Sequence, residues 1–191
     1  MPGFSVNRSG GVGTFVFPGW GTRIHGSYGT GIKNPTFLDR FGFLPDQFKG
    51  NPSLKPEESE GWDIGIEQPF GDDRISLGVT YFEEDLKDEI DGFFFDPALG
   101  ALTAINLEGT SERQGVEVTA RAELFQGFSL TAAYTYVDST EPDQNGRQIR
   151  EIRRPEHVAS VGSNYRFLDD RANLNLSIDY NSEQKDPGQT H

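Results

Sequence analysis

Strict two-residue alternation over unusually long segments most constrains what this chain can fold into. From Ala172 to Tyr180, Ala172, Leu174, Leu176, Ile178 and Tyr180 alternate with Asn173, Asn175, Ser177 and Asp179. Phe128, Leu130, Ala132, Tyr134 and Tyr136 alternate with Ser129, Thr131, Ala133, Thr135 and Val137. Ile75, Leu77, Val79 and Tyr81 do the same against Ser76, Gly78, Thr80 and Phe82. Successive strand side chains point to opposite faces, so each segment reads as a strand with one apolar and one polar side. A helix would scatter these apolar residues around its whole circumference.

Weaker alternation marks five more strands. Trp62, Ile64 and Ile66 oppose Asp63, Gly65 and Glu67; Val116 to Leu124 and His157 to Phe167 repeat the pattern; Ile24 and Tyr28 oppose Arg23, His25 and Ser27; and a first strand covers Val12 to Phe17. The connections alternate in length. Pro18-Gly19, Gly71-Asp72-Asp73, Gln126-Gly127 and Leu168-Asp169-Asp170 are tight, whereas Lys33–Pro56, Leu86–Ile105 and Asp138–Arg153 are long. The predicted fold class is therefore all-β: an antiparallel up-and-down meander of about eight long strands, with tight turns at one end and long loops at the other. Membrane-barrel strands of about 9–11 residues with this loop asymmetry fit the pattern. Mean strands of soluble proteins, about 5–6 residues, are shorter. Tyr28, Tyr81, Tyr134, Tyr136, Tyr165 and Tyr180 stand at the ends of the apolar faces, as membrane-interface girdles do.

Two other architectures carry the same alternation. A soluble carbohydrate-binding sandwich requires a second sheet over Leu130, Leu174 and Leu176. A small eight-stranded structural or adhesin-like outer-membrane barrel requires a closed ladder between the first and last strands. Composition narrows the functions further. No run approaches the roughly 18 apolar residues of a membrane helix. A net charge of −13 argues against a nucleic-acid partner. With no Cys there is no disulfide, thiolate metal site or cysteine nucleophile. The opening Met1-Pro2-Gly3-Phe4-Ser5 has neither the basic nor the apolar region of a secretory signal.

The segment Gly26-Ser27-Tyr28-Gly29-Thr30-Gly31-Ile32-Lys33-Asn34-Pro35 resembles a stretch of the TonB-dependent outer-membrane receptors. Four further motifs follow in the family's order: Gly50-Asn51-Pro52-Ser53-Leu54-Lys55-Pro56-Glu57; Gly115-Val116-Glu117 after Asn106; Tyr134-Thr135-Tyr136-Val137-Asp138; and Arg154-Pro155-Glu156-His157. Ile32 and Asn34 depart from the usual aromatic and Ala. The order is most similar to the siderophore and cobalamin branch. The resemblance implies that residues 1–191 form a partial transmembrane β-barrel, one slice of a wall of about 22 strands. The plug, the N-terminal strands and the final strands would lie outside it. A slice with two unpaired edges is expected to aggregate when isolated. The resemblance also implies uptake of a ferric siderophore or cobalamin-like cargo in the cell outer membrane. The implied partners are lipid, lipopolysaccharide and, through the plug, the TonB complex.

Candidate ligand contacts lie in the loops. Phe93, Phe94 and Phe95 sit in the second long loop, where an apolar tip can meet cargo; alternatively they extend a strand and pack on a neighbouring loop. Arg147, Arg150, Arg153 and Arg154 cluster in the third, and guanidinium groups suit an anionic chelate or lipid phosphate. Pairing with Asp143, Glu151 and Glu156 is the reading that local charge favours. The acidic run Glu83–Asp91 lacks calcium-loop spacing and reads as a solvated strand end. Ser27 lies two residues from His25 on one face, but no nucleophile elbow accompanies them. Ser27 and His25 read as polar lumen-facing residues, and His157 and His191 have no assigned role. The sequence assigns no catalytic residue, no metal ligand and no cofactor.

Overall fold

The structure is a computed structural model that describes residues 5–43, 47–143, 145–151 and 154–184, with backbone only for residues 5–10. Eleven strands and one short helix follow in the order β1 (Ser5–Val16), β2 (Arg23–Lys33), α1 (Phe37–Phe41), β3 (Glu57–Phe70), β4 (Ile75–Lys87), β5 (Ile90–Asp96), β6 (Ala101–Asn106), β7 (Thr110–Phe125), β8 (Phe128–Pro142), β9 (Gln148–Arg150), β10 (His157–Phe167) and β11 (Ala172–Asn181). One large antiparallel sheet has the order β1-β2-β3-β4-β7-β8-β10-β11, with β9 paired to β8; β5 and β6 form a separate hairpin. The eight strands read from alternation are all present. Several run longer than their apolar cores, β3 reaching 14 residues and β7 16. The extra residues are polar and lie toward the long-loop end.

Register turns the alternation into two continuous surfaces. On one face, Ile24 lies opposite Ile66, then Val79, Val118, Tyr134, Ala159 and Tyr180 across successive strands. On the other, His25 lies opposite Gly65, then Thr80, Glu117, Thr135 and Val158. The apolar face is bare: Ile64, Val161 and Leu174 are 54%, 51% and 62% exposed. No second sheet covers Leu130, Leu174 or Leu176 among the described residues, which rules out the sandwich. Nor do β1 and β11 pair, so the described sheet is open and is not a closed eight-stranded barrel. A contiguous apolar face of this size demands a covering, and hydrocarbon is the one that matches its boundaries.

Aromatic rings mark those boundaries. Toward the long loops, Trp62 and Tyr81 pack 5.4 Å apart, the Tyr28 hydroxyl donates to Glu60 at 2.8 Å, and the Tyr81 hydroxyl donates to Gln114 at 3.1 Å. Toward the tight turns, Phe125 stacks on Phe128 at 5.0 Å and Tyr165 meets both edge-on at 5.9 Å. Phenol rings with a dry body and a wet tip suit the hydrocarbon–water boundary.

All four tight turns lie at one end, and backbone sterics explain their composition. Asp72, Asp73, Leu168, Asp169 and Asp170 all adopt positive φ, which Asp tolerates better than most residues. At the β7–β8 turn, Gly127 has φ 82°, and a Cβ there would stand 2.3 Å from the Arg166 carbonyl oxygen. Gly115 is fixed by close approach instead. A Cβ would lie 2.3 Å from the Tyr136 carbonyl oxygen and 2.6 Å from the Phe82 ring, which covers the bare backbone on the polar face. Gly115→Ala is therefore expected to cost about 1–3 kcal/mol, as overpacking does. Gly29→Ala, whose Cβ meets nothing within 4 Å, should cost less than a third of that. Denaturant unfolding of the two variants in lipid vesicles checks the contrast.

Candidate functional site

The hydrophobic core cluster of the described residues lies in the loops, not the sheet. Phe48, Leu54 and Ala104 form one small core, with Ile90 and Leu102 packed against it. It joins the first long loop, between β2 and β3, to the second, between β4 and β7. The first loop opens with α1, capped reciprocally: the Asp39 amide donates to the Thr36 hydroxyl oxygen at 3.2 Å, and the Thr36 amide donates to the Asp39 carboxylate at 2.8 Å. Phe48 then bridges in parallel to Leu102, with Lys49 N–H donating to the Leu102 carbonyl at 2.8 Å and Leu102 N–H to the Gln47 carbonyl at 2.9 Å.

Residues of the family-like motifs hold this cap together. Asn51 Nδ2 donates to the Ala104 carbonyl at 3.0 Å. Asn106 Oδ1 accepts from Lys55 N–H at 2.9 Å, while its Nδ2 donates to the Asp88 carbonyl at 2.7 Å and the Lys55 carbonyl at 3.1 Å. Glu57 is buried, accepts from Ile90 N–H at 3.0 Å and pairs with Lys33 at 2.8 Å. These clamps cross 18 to 53 residues of sequence. Nothing local in the chain announces them, so sequence reasoning quoted these residues without finding their role.

The aromatic triplet rides on the β5–β6 hairpin above that core. Phe93 is 71% exposed and touches Phe48 edge-on at 6.2 Å; Phe95 is exposed too, while Phe94 is half-buried opposite Thr103. The geometry matches the packing reading of the triplet: it extends a strand and packs on the first loop, and the Phe93 and Phe95 rings remain exposed.

The arginines ride on the third long loop, between β8 and β10, apart from the triplet. Arg147 is bonded to Asp143 at 3.3 Å and Arg150 to Glu156 at 2.8 Å, the pairing that local charge favoured. Arg153 lies outside the described residues. The Asp143 carboxyl is held below the usual range by amide donors, Arg147 first and then Asn145, with the Arg147 charge adding to them.

Sequence reasoning missed the charged node beneath this loop. Arg113, projecting from β7, makes a two-pronged bond to Glu151, Nε at 3.0 Å and Nη2 at 2.9 Å, and its Nη1 reaches Glu84 at 3.3 Å. Arg154 closes on the same carboxylate at 2.7 Å. Burial alone would push the Glu151 carboxyl up; hydrogen bonds from Arg113 and Arg154, with their charges, outweigh it and hold the group below its usual range. Burial likewise works against the Arg113 charge and is overcome by Glu151 and then Glu84, so its pKa is raised. A carboxyl depressed in the folded state stabilises fully above the unfolded glutamate range. That contribution is lost as pH falls through the lower folded value.

Other candidates dissolve into wall structure. The Ser27 hydroxyl donates to Asp63, while His25 Nε2 lies 3.4 Å from the Thr80 hydroxyl, so the two do not form a nucleophile–base pair. The acidic run is dispersed: Glu84 bonds Arg113, Asp88 bonds Lys55 at 3.2 Å, and Glu89 accepts from Ser111. His157 packs beside Tyr136 at 5.3 Å and accepts or donates at Nδ1 with the Tyr134 hydroxyl at 2.8 Å, in the aromatic boundary. The arrangement offers apolar contact and charge pairing at the loop end and a polar inner wall below it.

Comparison with known proteins gives matches along nearly the whole chain. The family described as TonB dependent receptor-like, beta-barrel matches residues 4–191. The vitamin B12 transporter BtuB of Vibrio vulnificus is 30% identical over 122 residues, which is 63% of this chain and 18% of that protein. The ferripyoverdine receptor of Pseudomonas aeruginosa is 27% identical over 120 residues, 61% of this chain and 14% of the receptor. The chain thus spans less than a fifth of either relative. Among solved structures, the hemophore receptor HasR of Serratia marcescens superposes with a TM-score of 0.65 at 17% identity, over 93% of this chain and 31% of that one.

Proposed function

Because the chain belongs to the TonB-dependent receptor-like β-barrel family, we propose that it forms part of the wall and outer loops of an outer-membrane receptor for a scarce nutrient. The cargo class is a ferric siderophore or a cobalamin-like molecule, after the named relatives. The observation that carries this reading is the bare apolar band, bounded by aromatic rings at both edges and backed by a polar inner face. A surface of that kind belongs in a bilayer, with the polar face lining a lumen. In this reading residues 1–191 are one stretch of a longer barrel, whose plug couples to the TonB complex. The tight turns face the periplasm. The long loops face outward, toward lipopolysaccharide and arriving cargo. The protein binds and passes its ligand unchanged, so it is a receptor and not an enzyme, with no resident cofactor and no nucleic-acid partner.

Phe93 and Phe95 are the proposed apolar cargo contacts, with half-buried Phe94 supporting them from the opposite side of the hairpin. Arg147 and Arg150, already paired, supply weaker contacts to an anionic chelate. The test is uptake. Cells lacking the gene should lose growth on one ferric siderophore or on cobalamin when that nutrient is limiting, and the intact gene should restore it. In the restored receptor, Phe93→Ala with Phe95→Ala should weaken cargo binding at least tenfold, the scale of aromatic hot spots. The pair Arg147→Ala and Arg150→Ala should weaken it by less. Full growth of the deletion strain on every siderophore tried and on cobalamin would overturn the reading.

A further inference from the structure

The third long loop is fastened in a different way from the first two. The cap made by the first and second loops shares the buried Phe48, Leu54 and Ala104. The return of the third loop, residues 145–151, brings no aliphatic or aromatic side chain into a buried core among the described residues; Ile149 is exposed, and Glu151 is the buried side chain. Its backbone attachments are three register pairs of β9 with the end of β8, the Asp143 amide donating to the Arg147 carbonyl at 2.8 Å, the Gly146 amide donating to the Asp143 carbonyl at 2.9 Å, and the Glu151 amide donating to the Ser139 carbonyl at 3.1 Å. Gln148 Nε2 donates to the Thr110 carbonyl at 2.9 Å, and Arg147 and Arg150 make more exposed pairs with Asp143 and Glu156. The shielded tie between this strap and the wall is one carboxylate. Glu151 fills the guanidinium fork of Arg113, and the two side chains are only 10% and 18% exposed.

We propose that Glu151 is an electrostatic latch: residues 145–151 stay folded against β7 and β8 only while the Glu151 carboxylate occupies the Arg113 fork. The charged groups around it are Arg154 on the carboxylate itself, Glu84 on the far side of Arg113, and the neighbouring Arg150–Glu156 pair. Removing one partner of a shielded pair leaves the other uncompensated, which is costlier than losing a surface ion pair. Apolar packing is not weakened by salt or by carboxylate protonation, so the buried Phe48, Leu54 and Ala104 hold the cap without relying on its own Glu57–Lys33 pair. The fold therefore pairs a fixed cap with a releasable strap at one end. The inference does not depend on the transport reading or on any cargo.

Hydrogen exchange on the intact receptor in outer-membrane vesicles tests it. E151Q should speed exchange across 145–151 on the order of tenfold, with cap peptides 47–56 and 101–106 unchanged. E84Q removes an equal charge that does not belong to the strap, and should change strap exchange less than about twofold. Raising salt to about 1 M should loosen the strap in the parent and add little in E151Q. If E151Q does not assemble, R113K keeps the charge but loses the fork, and should give the same selective loosening in smaller measure. Unchanged strap exchange in the assembled variant, or equal loosening of strap and cap, would overturn the latch.

Discussion

Val161→Arg is expected to cost about 2–4 kcal/mol of folding into a bilayer, the range for arginine on the lipid face near the midplane of a membrane barrel. Val161 is 51% exposed and lies between Ala132 on β8 and Ile178 on β11, well inside the aromatic boundaries. Its neighbour Ser160 points to the other face, opposite Ala133 and Asp179. Ser160→Arg should therefore fold nearly as well as the parent, because the new cation meets a carboxylate and water. The pair of variants differs by one position in the chain and by the whole thickness of the wall. Denaturant titration in lipid vesicles, or the fraction of heat-modifiable protein in the outer membrane, reads the difference. Were the apolar face simply wet, Arg at 161 would be harmless and the two variants would behave alike.

That contrast is available because strand alternation survives translation from sequence to structure with little loss. Leu174, Leu176 and Ile178 had to share a face whatever the fold, since pleating leaves no other choice. What alternation does not reveal is where a strand stops. Glu60, Asp85 and Glu112 face one another rather than any apolar partner, yet they continue β3, β4 and β7 in register. Their pairing comes from backbone hydrogen bonds, which any side chain allows. The loops were less legible still. Phe93 and Arg147 stand out in the chain as residue types, and the structure gives each a definite setting. The residues that create those settings, Asn51, Asn106, Glu57 and Arg113, act across dozens of positions on partners that composition does not reveal. Arg113 in particular reads as an ordinary polar-face residue of β7. Only the fold, by bringing β4 and the return of the third loop to either side of it, makes it the centre of a charged node.

The cap carries the second large expected effect. Leu54→Ala should cost about 2–5 kcal/mol of cap stability, the usual range for emptying a buried leucine site. Leu54 is 3% exposed, and its partners Phe48 and Ala104 come from two different loops. Collapse around the vacated space is hindered on several sides. The Leu54 carbonyl holds Arg40 Nη2 at 3.2 Å, and Asn51 and Asn106 fix the flanking backbone. The loss should also be local. The sheet draws nothing from this core, so the barrel should remain assembled while the first and second loops become open to protease and exchange rapidly. Leu174→Ala removes the same atoms from a residue 62% exposed on the lipid face and should leave the loops as protected as in the parent. Limited proteolysis of the assembled receptor separates the outcomes. Cleavage within the first two loops of Leu54→Ala, with an intact barrel band, is the expected result. Loss of the barrel itself would mean that the loop core supports the wall, contrary to the division of labour the burial pattern implies.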